Sequence, residues 1–396
     1  MKLEVRPLLR VVVLGFVAFF ALFAFVLSRP GRDSLLHGLR LLARLSNALG
    51  PPPDTMSPPE GFTATGLALG SNHLCALRSD GTVWCWGRDN TAGQLGDGSK
   101  VVHHDPRPVP GLRDVIGVAS GDDHTCAVLH AGEVRCWGRN EDGQLGDGTR
   151  VNRETPVSVL GLPRARTIHA GNSTTCAEVD EGGLWCWGTA FGFRSHTVTE
   201  ARRIEGLETP LVGLSIGYHN ACAIARGGDL FCWGDDTLGQ LGDGTSESRS
   251  APTQAPDLKG VRAVTTGLSY SCALVGNELQ CWGFFPYPGQ SPSCGERRCT
   301  LAPGEDLVSI VAGDRMLCAV DRAGSTSCFG ANDDRAILTN GSTTPTWLPP
   351  RLQAVRLSGP AATLALDGSL DGYGTGCVLT RDGTISCFTI ERRAPD

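Results

Sequence analysis

Thiols are the most abundant reactive groups in this chain. Sixteen cysteines in 396 residues can ligate metal, act as nucleophiles or oxidise to disulfides. Their spacing favours oxidation. Fourteen fall into seven pairs: Cys75/Cys85, Cys126/Cys136, Cys176/Cys186, Cys222/Cys232, Cys272/Cys281, Cys318/Cys328 and Cys377/Cys387. Nine intervening residues is not a zinc-knuckle spacing. The remaining two, Cys294 and Cys299 in SPSCGERRCT, are expected to bridge each other around a surface loop. Cross-linking on this scale needs an oxidising compartment.

The elements that bring each pair together can be read locally. In HLCALRSDGTVWCWG two apolar runs flank Ser79-Asp80-Gly81, the pattern of a β-hairpin with a three-residue loop and a left-handed glycine. Counting outward from that loop sets Cys75 opposite Cys85. In the fifth repeat the cysteines are one residue closer and the loop is the two-residue Gly276-Asn277, so Cys272 still faces Cys281. The facing pairs fall at non-hydrogen-bonded positions, where side chains approach most closely. A glycine stands five residues before every first cysteine: Gly70, Gly121, Gly171, Gly217, Gly267, Gly313 and Gly372.

Repeat starts lie 51, 50, 46, 50, 46 and 59 residues apart. An internal period near 50 residues, with one hairpin and two weaker flanking strands per repeat, predicts an all-β chain: a seven-bladed propeller of four-stranded blades over residues 60–390. Pro349 to Gly374 is expected to hold an enlarged loop. The segment around Ser57–Phe62, SPPEGF, resembles the strand that precedes each blade, so residues 55–62 are expected to complete the final blade and cover its edge.

The first 59 residues read differently. Residues 1–10 are a basic flank, and 11–28 contain the uncharged run Val11 to Leu27, long enough to be a membrane anchor or an export signal. Residues 29–50 read as a short amphipathic helix and 51–59 as a proline-rich linker. The expected location is the cell envelope, as a single-pass membrane protein with the repeats on the periplasmic or extracellular side, or secreted if the segment is cleaved. Residues 1–50 carry seven basic and two acidic side chains, a net +5, which leaves −11 of the total −6 on the repeats. That acidity argues against nucleic-acid binding, which rests on phosphate neutralisation.

Three repeats share GQLGDG just after the hairpin, at residues 93–98, 143–148 and 239–244. Together, WGRNEDGQLGDG (137–148), WGDDTLGQLGDG (233–244) and, with one insertion, WGRDNTAGQLGDG (86–98) resemble the regulator-of-chromosome-condensation repeat family. The resemblance covers roughly residues 55–390 and is most specific in repeats one, two and four. It implies a seven-bladed β-propeller, and the paired cysteines are similar to those of exported bacterial members. Those members include a β-lactamase-inhibiting propeller, which gives protein capture a precedent.

Catalytic constellations are not expected. There is no zinc-protease motif or phosphate loop, and no nucleophile elbow is anticipated. The reading is a chain that is not an enzyme and has no cofactor and no metal. His73 and His124 share one repeat position with Thr174, Asn220, Tyr270, Met316 and Thr375, which suggests local packing or bonding. His103-His104-Asp105 reads as a polar loop. Trp86, Trp137, Trp187, Trp233 and Trp282 share another position and read as inter-blade core. Glu178 breaks the apolar pattern set by Leu77 and Val128, and the sequence offers no reason for it.

Function is expected where the repeat departs from itself. Repeat three has TAFGFRSHTVTE and repeat five GFFPYPGQSPSCGERRCT, which nominate Phe191, Phe193, Arg194, Phe284, Phe285, Tyr287, Arg297 and Arg298 as partner-binding residues. The resulting expectation is a non-enzymatic protein-binding scaffold with an unknown protein partner and membrane attachment through the N-terminal segment. No GTPase partner is expected, because the repeats lie outside the cytosol. A carbohydrate-binding or carbohydrate-active propeller is the alternative.

Overall fold

The computed structural model describes residues 58–59, 61–189, 197–207, 210–284, 295–303, 306–313, 316–330, 336–338, 353–355, 361–366 and 374–392. Among them there is no α-helix, and no helix long and apolar enough to cross a membrane. Val11 to Leu27, and the amphipathic segment after it, lie outside the described residues.

The described strands form seven four-stranded antiparallel sheets. Blade 1 is typical: Gly66–Leu69 is innermost, His73–Leu77 and Val83–Gly87 form the cysteine hairpin, and Arg107–Pro108 is outermost. The innermost strands of the other blades are Val115–Ser120, Ala165–Gly171, Leu211–Ile216, Val261–Thr266, Leu307–Ala312 and Ala361–Leu366. Each packs against the next, and Ala361–Leu366 packs against Gly66–Leu69, so the ring closes into a seven-bladed β-propeller.

The hairpins have the register counted from the sequence. Cys75 faces Cys85, Cys176 faces Cys186, Cys222 faces Cys232 and Cys272 faces Cys281. Gly81 takes a φ of 75° in the three-residue loop. The described bridges are Cys75–Cys85, Cys126–Cys136, Cys176–Cys186, Cys222–Cys232, Cys272–Cys281 and Cys377–Cys387. Their Cα atoms are 4.0–4.2 Å apart, the separation of a non-hydrogen-bonded pair. Cys299 and Cys318 are also disulfide-bonded, and Cys318 faces Cys328 in the register. Cys294 lies outside the described residues.

The regular alternation of the hairpin does not extend to the outer strand. Pairing with that strand shifts register between Cys136 and Gly138, Cys186 and Gly188, Cys232 and Gly234, and Cys281 and Gly283. Local sequence did not announce these irregularities. Each lies at the seam tryptophan, the residue between the cysteine and the glycine. In blades 3 and 4 the third-strand cysteine is also packed less completely than its partner. Cys186 is 6% exposed and Cys232 is 1% exposed, against 0% for Cys176 and Cys222. All four remain buried, so these bridges are core elements like the others.

Tryptophan fills the seams between blades. Trp86, Trp137, Trp187, Trp233 and Trp282 are all fully buried or nearly so. Trp137, for example, sits in a cluster with Leu95 and Val109 from the preceding blade and its linker and with Val115 of its own blade's innermost strand.

One expectation about closure needs correction. Residues 55–62 do not supply the last blade's outer strand. That strand is Ala336–Leu338, which comes from the connection within the sixth repeat and pairs with Ile390–Arg392. The seventh blade's third strand, Ile385–Arg392, is eight residues long where most others have five or six, and its extension holds the borrowed strand. Phe62 instead packs edge-on against Trp84 and Trp86 at 6.1 and 5.6 Å. Within Pro349 to Gly374, Gln353–Val355 and Ala361–Leu366 are strands, and residues 349–352, 356–360 and 367–373, where the enlarged loop is expected, lie outside the described residues.

Candidate functional site

Strand direction sorts the loops to two ends of the ring. The cysteine hairpins and the links to the next blade share one end, where Gly81 O accepts from Val115 N at 3.1 Å. The connections after the first and third strands share the other, here called the mouth end. Third strands finish there at Gly87, Gly138, Thr189, Gly234, Gly283 and Gly330. Every segment that breaks the repeat pattern after a third strand therefore leaves the ring from the mouth end.

At this end the shared GQLGDG turn is a built structure. In blade 2 the buried Asn140 accepts from Leu145 N through Oδ1 and donates through Nδ2 to the carbonyls of Thr149 and Val151. Asp147 caps the same turn, accepting from Thr149 N and from Arg153. Asp243 does this with Arg249 in blade 4, and Asp97 does it with His103 at 3.1 Å in blade 1. His103 is thus the counterpart of the two arginines, and the polar-loop reading of His103-His104-Asp105 describes its surroundings. Burial opposes ionisation of all three aspartates, but the bonds to Ser99, Thr149 and Thr245 outweigh it and hold their carboxyls below the usual range.

The turn also fastens the next blade. Gln94 O accepts from Trp137 Nε1, Gln144 O from Trp187 Nε1, and Gln240 O from Trp282 Nε1, each at 2.9 Å. A second link runs beside it. His124 Nε2 lies 2.8 Å from Thr175 Oγ1, which donates onward to Gln144 O. Since the threonine hydroxyl spends its proton on that carbonyl, it accepts from a neutral His124 protonated at Nε2. Asn220, Ser271 and Gln240 O repeat the relay in blade 4. His73 reaches Thr125 Oγ1 at 2.7 Å in the same way. These residues therefore bond across blades, where the sequence suggested local bonding. Burial lowers the His73 pKa to about 4 and the His124 pKa to about 3. Both histidines are fully buried, so neither pair can meet a substrate as nucleophile and base.

Gly213–Gly217 spells Gly-x-Ser-x-Gly, a string the sequence reading did not anticipate. Ser215 lies within an inner strand rather than on a strand-to-helix elbow, and its Oγ is 2.9 Å from Thr266 Oγ1. The motif has the letters of a nucleophile elbow without its geometry. Among the described residues no three of His, Cys, Asp and Glu are placed to hold a metal ion.

Cavities open on this architecture among the described residues. One of about 390 Å³ runs along the inner strands. Another, about 240 Å³, is a polar cleft at the mouth end between blades 2 and 3, lined by Asp122, Asp123, Arg139, Asp142, Gln144 and Asn172 among others. Arg139 pairs with Asp123 at 3.6 Å and Glu141 at 2.7 Å. Burial nevertheless leaves the Asp123 carboxyl above its ordinary range. This cleft was missed in the sequence. The available signal was GDDH at 121–124, where the first repeat reads GSNH.

Of the nominated partner-binding residues, Phe284 is described: it is half exposed at the mouth end, its N–H bound to Ser269 O at 2.8 Å. Arg298 lies on blade 5's outer strand and pairs with Asp257 of the preceding link at 3.3 Å. Arg297 is on the same strand, and its side chain is not described. Phe191, Phe193, Arg194, Phe285 and Tyr287 lie outside the described residues. Glu178 gains an explanation: it accepts from Thr167 Oγ1 at 3.2 Å and lies 3.7 Å from His169 Nε2, both on the adjacent inner strand.

Comparison with known proteins agrees with this architecture. The regulator of chromosome condensation (RCC1) repeat matches residues 80–128, 131–177 and 227–274, and a second description of the same repeat matches 64–94, 115–144 and 212–240. The human E3 ubiquitin-protein ligase HERC2 is 28% identical over 229 residues, 54% of this chain and 5% of that protein. The Arabidopsis thaliana ultraviolet-B receptor UVR8 is 30% identical over 181 residues, 41% of each. The chain thus spans well under two thirds of the length of these relatives. Among solved structures, yeast RCC1 (Prp20) bound to Kap60 superposes with a TM-score of 0.66 at 20% identity, covering 83% of this chain and 80% of that one. Human WBSCR16 gives 0.65 at 17% identity over 85% and 89%.

Proposed function

Because the chain carries regulator of chromosome condensation repeats closed into a propeller, we propose that it is a non-enzymatic protein-binding scaffold that presents its mouth end to a partner outside the cytosol, held to a membrane by the segment before the repeats. One observation carries the reading. The connections that depart from the repeat, after Thr189, Gly283 and Gly330, leave the ring from the same end, while the opposite end repeats the same short hairpins. A rigid ring with variable loops gathered on one end is how scaffolds display recognition surfaces. The half-exposed Phe284 and the polar cleft lie there. The buried disulfides favour an oxidising compartment. A propeller of this fold, yeast Prp20, is bound to Kap60 in one structure, so capture of a protein suits the architecture.

The test is site-specific crosslinking in intact cells of the source organism, using the full chain. A photocrosslinker at Phe284 should yield a discrete protein adduct. The same group at the exposed Lys259, on a blade-to-blade link at the opposite end, should not. Equal adducts from both positions, or none from Phe284, would overturn the proposal. Protease added to cells stripped of any outer layer, with the cytoplasmic membrane intact, should degrade the repeats, whereas protection until that membrane is lysed would remove the proposed location.

A further inference from the structure

We propose that Asp236 works as a neutral carboxylic acid, donating a hydrogen bond where its counterparts use an asparagine amide, so that a proton holds the mouth-end turn of blade 4. One turn occurs in three copies, and in two of them a buried asparagine holds it. Asn90 accepts from Leu95 N at 3.0 Å and donates through Nδ2 to Ser99 O and Val101 O at 3.1 and 3.0 Å. Asn140 does the same toward Thr149 O and Val151 O, and also donates to Asp147 Oδ1 at 2.9 Å.

Asp236 keeps the rest of this frame. Its Oδ1 accepts from Leu241 N at 2.7 Å, and its own N–H reaches Ser248 Oγ as Asn140 N–H reaches Asn152 Oδ1. Thr245 N binds Asp243 Oδ1 as Thr149 N binds Asp147 Oδ1. The second carboxyl oxygen therefore takes the place of the NH₂ group that in blades 1 and 2 donates to the carbonyls of Ser99, Val101, Thr149 and Val151. Asp236 is fully buried, and Oδ2 has no hydrogen-bond partner. A bare carboxylate there would set a buried charge against carbonyl dipoles. A proton on Oδ2 converts the contact into a donated bond.

The surrounding charges agree. Burial disfavours ionisation most, and Asp243 and Asp235 add to it; the Leu241 N–H bond and Arg249 oppose it without cancelling it, so the Asp236 carboxyl is pushed up to about 7. Arg249 is already committed to Asp243 and Glu247. Across the seam the turn meets Trp282, which carries no charge. From blade 4's own first connection, His219 contributes the carbonyl that accepts Asp235 N–H. A carboxyl raised on folding stabilises the protein at low pH, and that stability is lost as pH climbs from the ordinary aspartate range to about 7. The turn beside the Trp282 seam is then loosest above neutral pH.

Equilibrium unfolding of the full chain and its Asp236→Asn variant, from about pH 4 to about pH 8, tests this. The variant should be favoured by a ratio of unfolding constants that widens about tenfold per pH unit up to about 7 and then stays flat. Asn140→Asp should import the same slope into blade 2. A ratio independent of pH would overturn the proposal. So would an Asp236 carboxyl carbon that titrates in the ordinary aspartate range by NMR, a measurement that needs no variant. Stabilisation of the parent by calcium that Asp236→Asn abolishes would also overturn it, because a cation would then occupy the proton's place.

Discussion

Ala64 N donates to Gly383 O at 2.9 Å, and this bond joins the two ends of the ring. It repeats the bond at ordinary seams: Val115 N to Gly81 O, Ala165 N to Gly132 O and Val261 N to Gly228 O. Closure is thus one more blade-to-blade contact, backed by a cluster that unites Ala64, Leu69 and Trp86 with Cys377, Leu379 and Ile385. Ala64→Pro removes the donor and should cost about 1–3 kcal/mol, measured by chemical unfolding. Val115→Pro should cost a similar amount. A silent Ala64→Pro would mean that the ring is not closed through this contact.

At Gly70, Gly121, Gly171, Gly217 and Gly267 the glycine five residues before the first cysteine is needed for close approach. A Cβ on Gly121 would stand 2.3 Å from the His124 ring and 2.4 Å from Asn172 O, and one on Gly70 would stand 2.2 Å from the His73 ring. Gly121→Ala should therefore destabilise by about 1–3 kcal/mol through overpacking. Gly227→Ala, where the nearest atom is an aspartate oxygen at 3.8 Å, is the control and should change little. Equal effects would show that space around Gly121 is not the constraint.

His73 and His124 give the protein an acid limit. Both have folded pKa values below the ordinary 6.5 because burial disfavours their charged forms. The stability they contribute is present above 6.5 and is lost as pH falls toward about 4 for His73 and about 3 for His124. Over that window the cost is on the order of 3 kcal/mol for His73 and about 5 kcal/mol for His124. His124→Asn keeps the donor, as Asn220 does in blade 4, and should flatten its share of the slope in thermal unfolding followed against pH. This trend runs opposite to the one assigned to Asp236, so each variant isolates its own contribution. A slope unchanged in His124→Asn would contradict the neutral relay.

The bridges are inaccessible in the folded state. Cys75, Cys85, Cys126 and Cys136 are fully buried, and Cys186 and Cys232 are nearly so. Reductant plus an alkylating agent should label them only as fast as the native protein opens, and faster as denaturant is added. The Cys126→Ala, Cys136→Ala double variant should lose roughly 2–3 kcal/mol, as expected for a short closed loop. Rapid labelling without denaturant would mean that the hairpins are not held as described.

Much of this protein is determined by the sequence alone, because its information is local. Hairpin register follows from loop length and alternation, so Cys272 faces Cys281 even after one loop residue is lost. The repeat period sets the number of blades, and the recurring Trp137 position marks the seams. What joins one blade to the next was beyond such reading, since it depends on residues about 50 positions apart. The reach of His124 to Thr175, the partner of Glu178 and the cleft at Asp123 all arise from neighbouring blades or strands meeting. The register shifts after Cys186 and Cys232 belong here too, because the outer strand that meets them returns from a separate connection. Two further decisions belong to the tertiary structure. The last blade takes Ala336–Leu338 as its outer strand, because an exposed edge pairs with whichever segment the ring brings beside it. And Asp236, one more acidic letter in the sequence, is set apart by the fold, which buries it in the turn position that Asn90 and Asn140 hold in blades 1 and 2.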